Sequence, residues 1–325
     1  MPSVYRDVLD RVRNGVARPG ADPTYASGDD AAWMDIDWPS LSREVEIDGR
    51  LVHVVDTGGD GPPLVFIHGL GGIWQNWLLT IPAFMATHRC VAFDLPGFGQ
   101  SEMPDGELSI PNFAKTADKL CDVLGIDCPV VIGNSMGGFV GAELAVSFPT
   151  RVDKLVLVSA AGLSTEYVRR EPVLAVARAW AAFATRAGAQ ADAVIRRARL
   201  RRIALQAVVR YPERLSVPLT AELVRGAGAP GFNESFRALL SYSFREKLER
   251  IKIPVLIVWG RNDILVPVAD AEEFEHLIGE RARSVIFDDT GHLAMIERPG
   301  RFNELVAGFL AGERAPEAGV EGVSA

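Results

Sequence analysis

The sequence predicts an α/β fold: a doubly wound, mostly parallel sheet flanked by helices, with a helical cap inserted late in the chain. Three observations predict it. Short apolar runs alternate with helical patterns from residue 43 to 160. The same rhythm returns after residue 253. Between them, residues 164–249 are rich in Ala, Leu, Arg and Glu and contain little that reads as a strand.

The elements follow in order. Strands are expected at Glu44–Ile47 and Leu51–Asp56, and the intervening Asp48-Gly49 reads as a hairpin turn. Further strands at Leu64–Ile67, Cys90–Asp94, Val130–Ile132 and Leu155–Val158, with helical stretches near 76–87, 110–124 and 137–148 between them, read as parallel. After residue 253 come strands Val255–Val258 and Ser284–Phe287, with helices near 268–278 and 300–311. In the insertion, Pro172, Pro212, Pro218 and Gly226–Gly231 break the helical pattern. The expected organisation is therefore an N-terminal extension (1–42), a core (43–163 and 250–312), a helical cap (164–249) and a disordered tail (313–325). Within the extension, Ser3 can cap a helix that places Val4, Val8, Val12 and Val16 on one face, and residues 18–32 resemble a polar linker.

Composition narrows the function. A 325-residue chain with 48% apolar and 23% charged residues is an ordinary globular protein. Its net charge of −8 argues against a duplex nucleic-acid binder, which needs Lys and Arg to neutralise phosphates. The charge is uneven: residues 161–250 hold 16 Lys and Arg against 8 Asp and Glu, and the rest of the chain is strongly acidic. Cys90, Cys121 and Cys128 lack a C-x-x-C spacing and read as reduced packing residues. No secretory signal and no transmembrane stretch is visible, so a cytoplasmic protein is expected.

The strongest chemical signal is Val130-Val131-Ile132-Gly133-Asn134-Ser135-Met136-Gly137-Gly138, an apolar strand that runs into a helix through Gly-x-Ser-x-Gly. A turn this sharp strains the central residue, and small residues two before and two after relieve crowding. Ser135 then stands exposed above the sheet as a nucleophile. A serine hydroxyl needs a general base. Of the five histidines, His53 falls inside an early strand, His88 precedes one and His276 lies in a helical pattern. His292 sits in a loop after the last strand, in Asp288-Asp289-Thr290-Gly291-His292. Asp263, at the end of the strand before it, is placed to orient that imidazole. Asp288 and Asp289 read as solvated loop residues. The turn His68-Gly69-Leu70-Gly71-Gly72 can bring the Leu70 N–H to an oxyanion, Met136 N–H is the natural second donor, and His68 braces the turn. Nothing calls for a cofactor or a metal.

At these residues, over about 43–312, the sequence resembles the α/β-hydrolase superfamily. The likeness includes the His-Gly-x-Gly turn, Asp94-Leu95-Pro96-Gly97-Phe98-Gly99-Gln100-Ser101 after a strand, the serine turn, and the Asp263 and Gly291-His292 loops. The resemblance implies a Ser135, Asp263, His292 triad, an oxyanion hole from Leu70 and Met136, and a variable cap at 164–249. Haloalkane dehalogenases and epoxide hydrolases carry aspartate at the nucleophile position, so Ser135 speaks against both. Carboxylesterases and lipases remain, as do carbon–carbon hydrolases of meta-cleavage products, which often show Gly-Asn-Ser-Met-Gly-Gly. Those enzymes usually have a Gly-Pro-Gly oxyanion loop and a tryptophan after the histidine, where this chain has Leu70-Gly71-Gly72 and Leu293. Ester hydrolysis is therefore the leading expectation. A third class, a ligand receptor without turnover on the same fold, stays open. The expected partner is a small ester with an apolar acyl or aryl group, and oligomeric state is not legible. Trp74, Trp77, Phe139, Trp180 and Phe232 are pocket or core aromatics. The run Arg196-Arg197-Ala198-Arg199-Leu200-Arg201-Arg202 is scaffold or a means of drawing in anionic substrates or a lipid surface.

Overall fold

A computed structural model describes residues 24–26, 30–164 and 195–313. The expected helix over the first residues, the first part of the cap with Trp180, and the tail beyond residue 313 lie outside the described residues.

Eight strands form one sheet: β1 (Ser42–Ile47), β2 (Arg50–Asp56), β3 (Pro63–Ile67), β4 (Arg89–Phe93), β5 (Val130–Asn134), β6 (Lys154–Val158), β7 (Val255–Gly260) and β8 (Ala282–Phe287). Their order is β1-β2-β4-β3-β5-β6-β7-β8. Asp48 and Gly49 both have positive φ, 53° and 76°, the backbone that lets a two-residue turn follow the strands' twist. β1 and β2 therefore pair antiparallel with Ile47 opposite Arg50. From β4 to β8 every neighbouring pair is parallel. Successive side chains point to opposite faces, and both faces are covered. Val65, Ile67, Val131, Leu155, Leu157 and Ile257 enter one apolar layer. Leu64, Phe66, Ile132, Val156, Val158 and Leu256 enter the other.

The longer helices are α1 (Ile110–Val123), α2 (Met136–Ser147), α3 (Ala198–Leu205), α4 (Val217–Val224), α5 (Phe232–Ser241), α6 (Ala269–Ile278) and α7 (Pro299–Ala311). Ser109 and Ser216 cap α1 and α4 by accepting from Asn112 N–H and Leu219 N–H. Gly312, at φ 83°, closes α7. The single helix expected near 76–87 is instead a one-turn helix at Trp74–Trp77 followed by a short helix at Ile81–Phe84. Pro82 is the reason: it has no N–H to donate back to the preceding turn. The described part of the cap, from residue 195, contains α3, α4 and α5 and no strand.

The arginine run is divided in its use. Arg201 is buried and donates to the carbonyls of Ile195 (2.5 Å) and Glu213 (3.2 Å), and Arg202 pairs with the Glu213 carboxylate at 2.7 Å. Arg196, Arg197 and Arg199 are exposed. Of the cysteines, Cys90 and Cys121 pack in the interior. Cys128 is exposed, so the packing role expected of it does not hold. No described helix is long and apolar enough to cross a membrane.

The antiparallel edge is fastened by Asp56, at the end of β2. Its carboxylate accepts from Arg89 Nε (3.0 Å) and Nη2 (2.7 Å), from Arg43 Nη2 (2.5 Å) and from Gly58 N–H (2.9 Å). Burial pushes this carboxyl upward, but the hydrogen bonds from Arg89 and Gly58 outweigh it and hold it below the ordinary carboxylate range. A depressed folded value means that the stabilisation is present above the unfolded value, about 3.9, and is lost as pH falls through the folded one. Asp56→Asn is expected to cost about 1–3 kcal/mol at neutral pH by denaturant titration. The difference from wild type should shrink as the pH is taken below about 4. A variant as stable as wild type at pH 7 contradicts this account.

Candidate active site

β5 runs into α2 through Ser135, whose backbone sits at φ 54° and ψ −116°. For a residue with a side chain this is a strained conformation, worth about 1–3 kcal/mol. Hydrogen bonds over-determine it. Ser135 N–H donates to Val158 O (2.9 Å), and its carbonyl accepts from Phe139 N–H and Ala161 N–H, both at 3.1 Å. Crowding explains the two glycines of the motif. A Cβ on Gly133 would lie 2.3 Å from Gly137 O, and one on Gly137 would lie 2.1 Å from Ile67 O. Between Pro129 and Val146 every residue is buried except Ser135. The turn therefore lifts one hydroxyl out of an otherwise closed interior.

The acid and histidine loops leave the ends of β7 and β8 side by side. Arg261 N–H donates to Phe287 O (2.9 Å) and Asn262 N–H to Thr290 O (2.8 Å). The backbones approach so closely that a Cβ on Gly260 would sit 1.9 Å from Gly291 O. Across this seam His292 Nδ1 lies 2.7 Å from Asp263 Oδ2. The other oxygen of Asp263 accepts from Leu265 N–H (2.9 Å) and Val266 N–H (3.0 Å), so the carboxylate is held on both sides. Its side chain has no exposure and that of His292 has 4%, so the pair is nearly water-free. His292 N–H in turn donates to Val208 O of the cap (3.1 Å), and Asn134 Nδ2 donates to His292 O (3.3 Å). Asn134 thus ties the serine turn to the histidine loop.

The glycine-rich turn lies against the serine, since a Cβ on Gly69 would be 3.1 Å from Ser135 Cβ. Gly72 N–H donates to Gly69 O (2.9 Å), and Gly71 takes φ 73°. Leu70 follows Gly69, and Met136 is the first residue of α2, so both amides belong to the segments that adjoin Ser135. His68 is fully buried and braces this turn. Its Nδ1 lies 2.8 Å from Gly69 O and its Nε2 accepts from Leu95 N–H (2.9 Å). Burial lowers its pKa, in keeping with a neutral ring that donates once and accepts once.

Four of the five candidate aromatics can be placed. Trp77 packs on Phe66, Trp74 on Trp38, and Phe139 on Tyr242 and Phe244. Phe232 meets the glycine turn, its ring 3.2 Å from a Cβ position on Gly71. Asp288 is exposed and paired with Arg261. Asp289 is more than a solvated loop residue: it accepts from Tyr211 Oη at 2.7 Å, with Arg210 and Arg298 within 3.6 Å.

Sequence reasoning missed Glu297 and Tyr25. Glu297 is fully buried five residues after His292, and the Tyr25 hydroxyl donates to it at 2.7 Å. A charged residue closing the apolar run Leu293-Ala294-Met295-Ile296 was a usable signal for the first. Nothing in the sequence marks Tyr25.

A serine on a strained strand-to-helix turn, an aspartate–histidine pair on the next strand ends and a cap over a mostly parallel sheet define an α/β hydrolase. The chain matches the family described as alpha/beta hydrolase fold over residues 62–299 and belongs to that family. It is 31% identical over 288 residues to 2-hydroxymuconate semialdehyde hydrolase from Pseudomonas sp. strain CF600, a match covering 84% of this chain and 95% of that one. A crystal structure of a bacterial membrane phospholipase A superposes with a TM-score of 0.69 at 25% identity, covering 95% of each chain. A meta-cleavage product hydrolase from Pseudomonas fluorescens IP01 superposes with a TM-score of 0.65, also at 25% identity, over 84% of this chain and 99% of its own.

The tightness of the serine turn is testable. Gly137→Ala places a methyl in contact with the carbonyl of Ile67, which is strand backbone and cannot swing away. Overpacking of this kind is expected to cost about 1–3 kcal/mol, read as a lowered thermal midpoint. Gly106→Ala, where nothing lies within 4 Å, is the control and should leave the midpoint nearly unchanged.

Proposed function

We propose that this hydrolase cleaves carboxylic esters through an acyl-enzyme, with Ser135 as nucleophile, His292 as general base and Asp263 as the orienting acid. The observation that carries the reading is the 2.7 Å contact between His292 Nδ1 and the buried Asp263 carboxylate, on strand ends beside the strained Ser135 turn. Asp263 accepts a hydrogen bond from Nδ1–H, which fixes the tautomer and leaves Nε2 as the ring's free base. That nitrogen takes the Ser135 proton as Oγ attacks the carbonyl carbon. The amides of Leu70 and Met136 receive the developing oxyanion. His292 then returns the proton to the departing alkoxide, the alcohol leaves, and water repeats the sequence on the acyl-enzyme to release the acid. Phe232, over the glycine turn, supports an apolar acyl or aryl substrate. No step calls for a cofactor.

A second reading is hydrolysis of a carbon–carbon bond in a meta-cleavage product, favoured by the relatives named for that reaction. The same serine, histidine and aspartate serve it. Leu293, buried at 8% directly after the histidine, and the Leu70-Gly71-Gly72 turn weigh for the ester.

Ser135→Ala and His292→Ala should each lower turnover by about six orders of magnitude, since nucleophile and base act as a unit, and Asp263→Asn by about four. Labelling by a fluorophosphonate probe should be lost in Ser135→Ala. A panel of aryl esters of increasing acyl length, assayed beside a meta-cleavage dienol ketone, separates the readings. Turnover of the ketone with none of the esters overturns the ester assignment. A protein that binds both and turns over neither is a receptor. Near-normal activity in Asp263→Asn together with loss in Asp288→Asn overturns the choice of acid.

A further inference from the structure

Glu297 closes the short helix Ala294–Glu297 and has no solvent exposure. Its two carboxylate oxygens gather donors from three separate parts of the chain. Gly291 N–H lies 3.0 and 2.9 Å from the two oxygens, and Leu293 N–H donates to Oε1 at 3.2 Å. Arg210 N–H, from the cap, donates to Oε2 at 2.8 Å, and the Tyr25 hydroxyl, from the N-terminal segment, donates at 2.7 Å. Every partner is a donor, which is the environment of an ionised carboxylate. Burial pushes the carboxyl up to about 7, against the pull of these bonds. Gly291 makes the approach possible, because a Cβ there would stand 2.9 Å from Glu297 Oε1.

The geometry bears on the imidazole. Gly291 and Leu293 are the neighbours of His292, so the carboxylate holds the peptide on both sides of it. The third backbone restraint, His292 N–H to Val208 O, comes from the cap stretch that also supplies Arg210. The N-terminal segment is held in the same knot. Ala26 N–H donates to Glu297 O (2.8 Å), and the Tyr25 hydroxyl accepts from Tyr211 N–H (2.9 Å). The Tyr25 ring has the guanidinium groups of Arg214 and Arg298 at 5.3 and 5.0 Å and the edge of Tyr211 at 5.2 Å.

We propose that Glu297 is a positioning residue: its carboxylate fixes the backbone on both sides of His292 and, through Tyr25 and Arg210, makes the aim of that imidazole depend on the docked N-terminal segment and cap. The proposal rests on the reading of Ser135 and His292 as nucleophile and base. A displacement of about 1 Å in a catalytic group costs about a hundredfold in rate, so a clamp on the base acts on the chemical step more than on substrate affinity.

The test uses the full chain with two variants. Glu297→Gln keeps the shape but turns a donor towards groups that are all donors. Tyr25→Phe removes only the hydroxyl. Three quantities are read: the rate of fluorophosphonate labelling at Ser135, kcat and KM on an ester that is turned over, and the far-downfield proton NMR signal of His292 Nδ1–H shared with Asp263. Glu297→Gln is expected to slow labelling and kcat by about 10- to 100-fold with KM within about twofold, and to displace or broaden the NMR signal. Tyr25→Phe should act in the same direction by about 3- to 10-fold. Wild-type labelling and an unchanged signal in the folded variants overturn the proposal, and so does an effect on KM alone. If Glu297→Gln does not fold, Tyr25→Phe decides by the same measurements. A wild-type protein that is labelled at Ser135 but turns over no ester defeats the ester reading and leaves the labelling comparison intact. If Ser135 is not labelled at all, the nucleophile assignment fails, and the NMR signal still decides whether Glu297 aligns the His292–Asp263 pair.

Discussion

The constraint behind the rest of the structure is the reversal from β5 to α2 at Ser135. At φ 54° and ψ −116° the residue occupies backbone space that a side chain disfavours, and the surrounding fold must hold it there. The holding comes from both directions along the sheet. Val158, at the end of β6, accepts the Ser135 amide, and the backbone of Ala161, just beyond that strand, donates to its carbonyl. On the other side β3 presses the Ile67 carbonyl against Gly137. The turn therefore needs β5 between β3 and β6 in parallel register, which is the order seen. It also needs α2 packed close, and the burial of almost all of α2 shows how little room is left.

Parallel strands deliver their loops to one edge, and this explains how residues distant in sequence meet. β3 brings the glycine turn, β5 the serine, β7 the aspartate and β8 the histidine. Two of these loops are fastened to each other by backbone hydrogen bonds, and a side chain ties in the serine turn. Asn262 N–H to Thr290 O joins the acid and histidine loops, and Asn134 spans from the serine turn to His292 O. The 2.7 Å contact between Asp263 and His292 rests on that scaffold, with the carboxylate's second oxygen satisfied locally.

How legible this was in the sequence depends on the range of the interaction that fixes each part. All eight strands were readable, because alternation and apolar runs are local properties and the sheet is buried on both faces. The Ser135 turn, the Asp263 loop and the His292 loop were readable because each lies directly after such a run. Where reading failed, a local break or a distant partner was decisive. The helix expected near 76–87 splits because of Pro82, a signal present in the sequence and overridden by the apolar pattern around it. Cys128 follows the same composition as Cys90 and Cys121 yet lies outside the core. Glu297 and Tyr25 are 272 residues apart in the chain, and no spacing rule connects them.

The cap shows why substrate preference is harder to read than chemistry. Beside apolar side chains such as Phe244 and Leu239, it meets the core through backbone. A Cβ on Gly226 would lie 2.5 Å from Gly71 O, and Gly231 N–H donates to Gly97 O at 2.9 Å. Contacts of this kind carry no side-chain identity, so they leave little pattern in a sequence beyond the glycines themselves. They nevertheless set the height of Phe232 above the glycine turn and bring Val208 to the His292 amide. The Arg201 and Arg202 side chains contribute to the same layer, binding Ile195 and Glu213 within the cap. Part of the positive charge that distinguishes this segment is thus committed to folding the cap upon itself. In the rest of the arginine run, Arg196 and Arg197 precede α3, Arg197 as its extended N-cap residue, and Arg199 lies in its first turn. All three are exposed, and the change of backbone between them gives no common helical face that would converge them on one ligand.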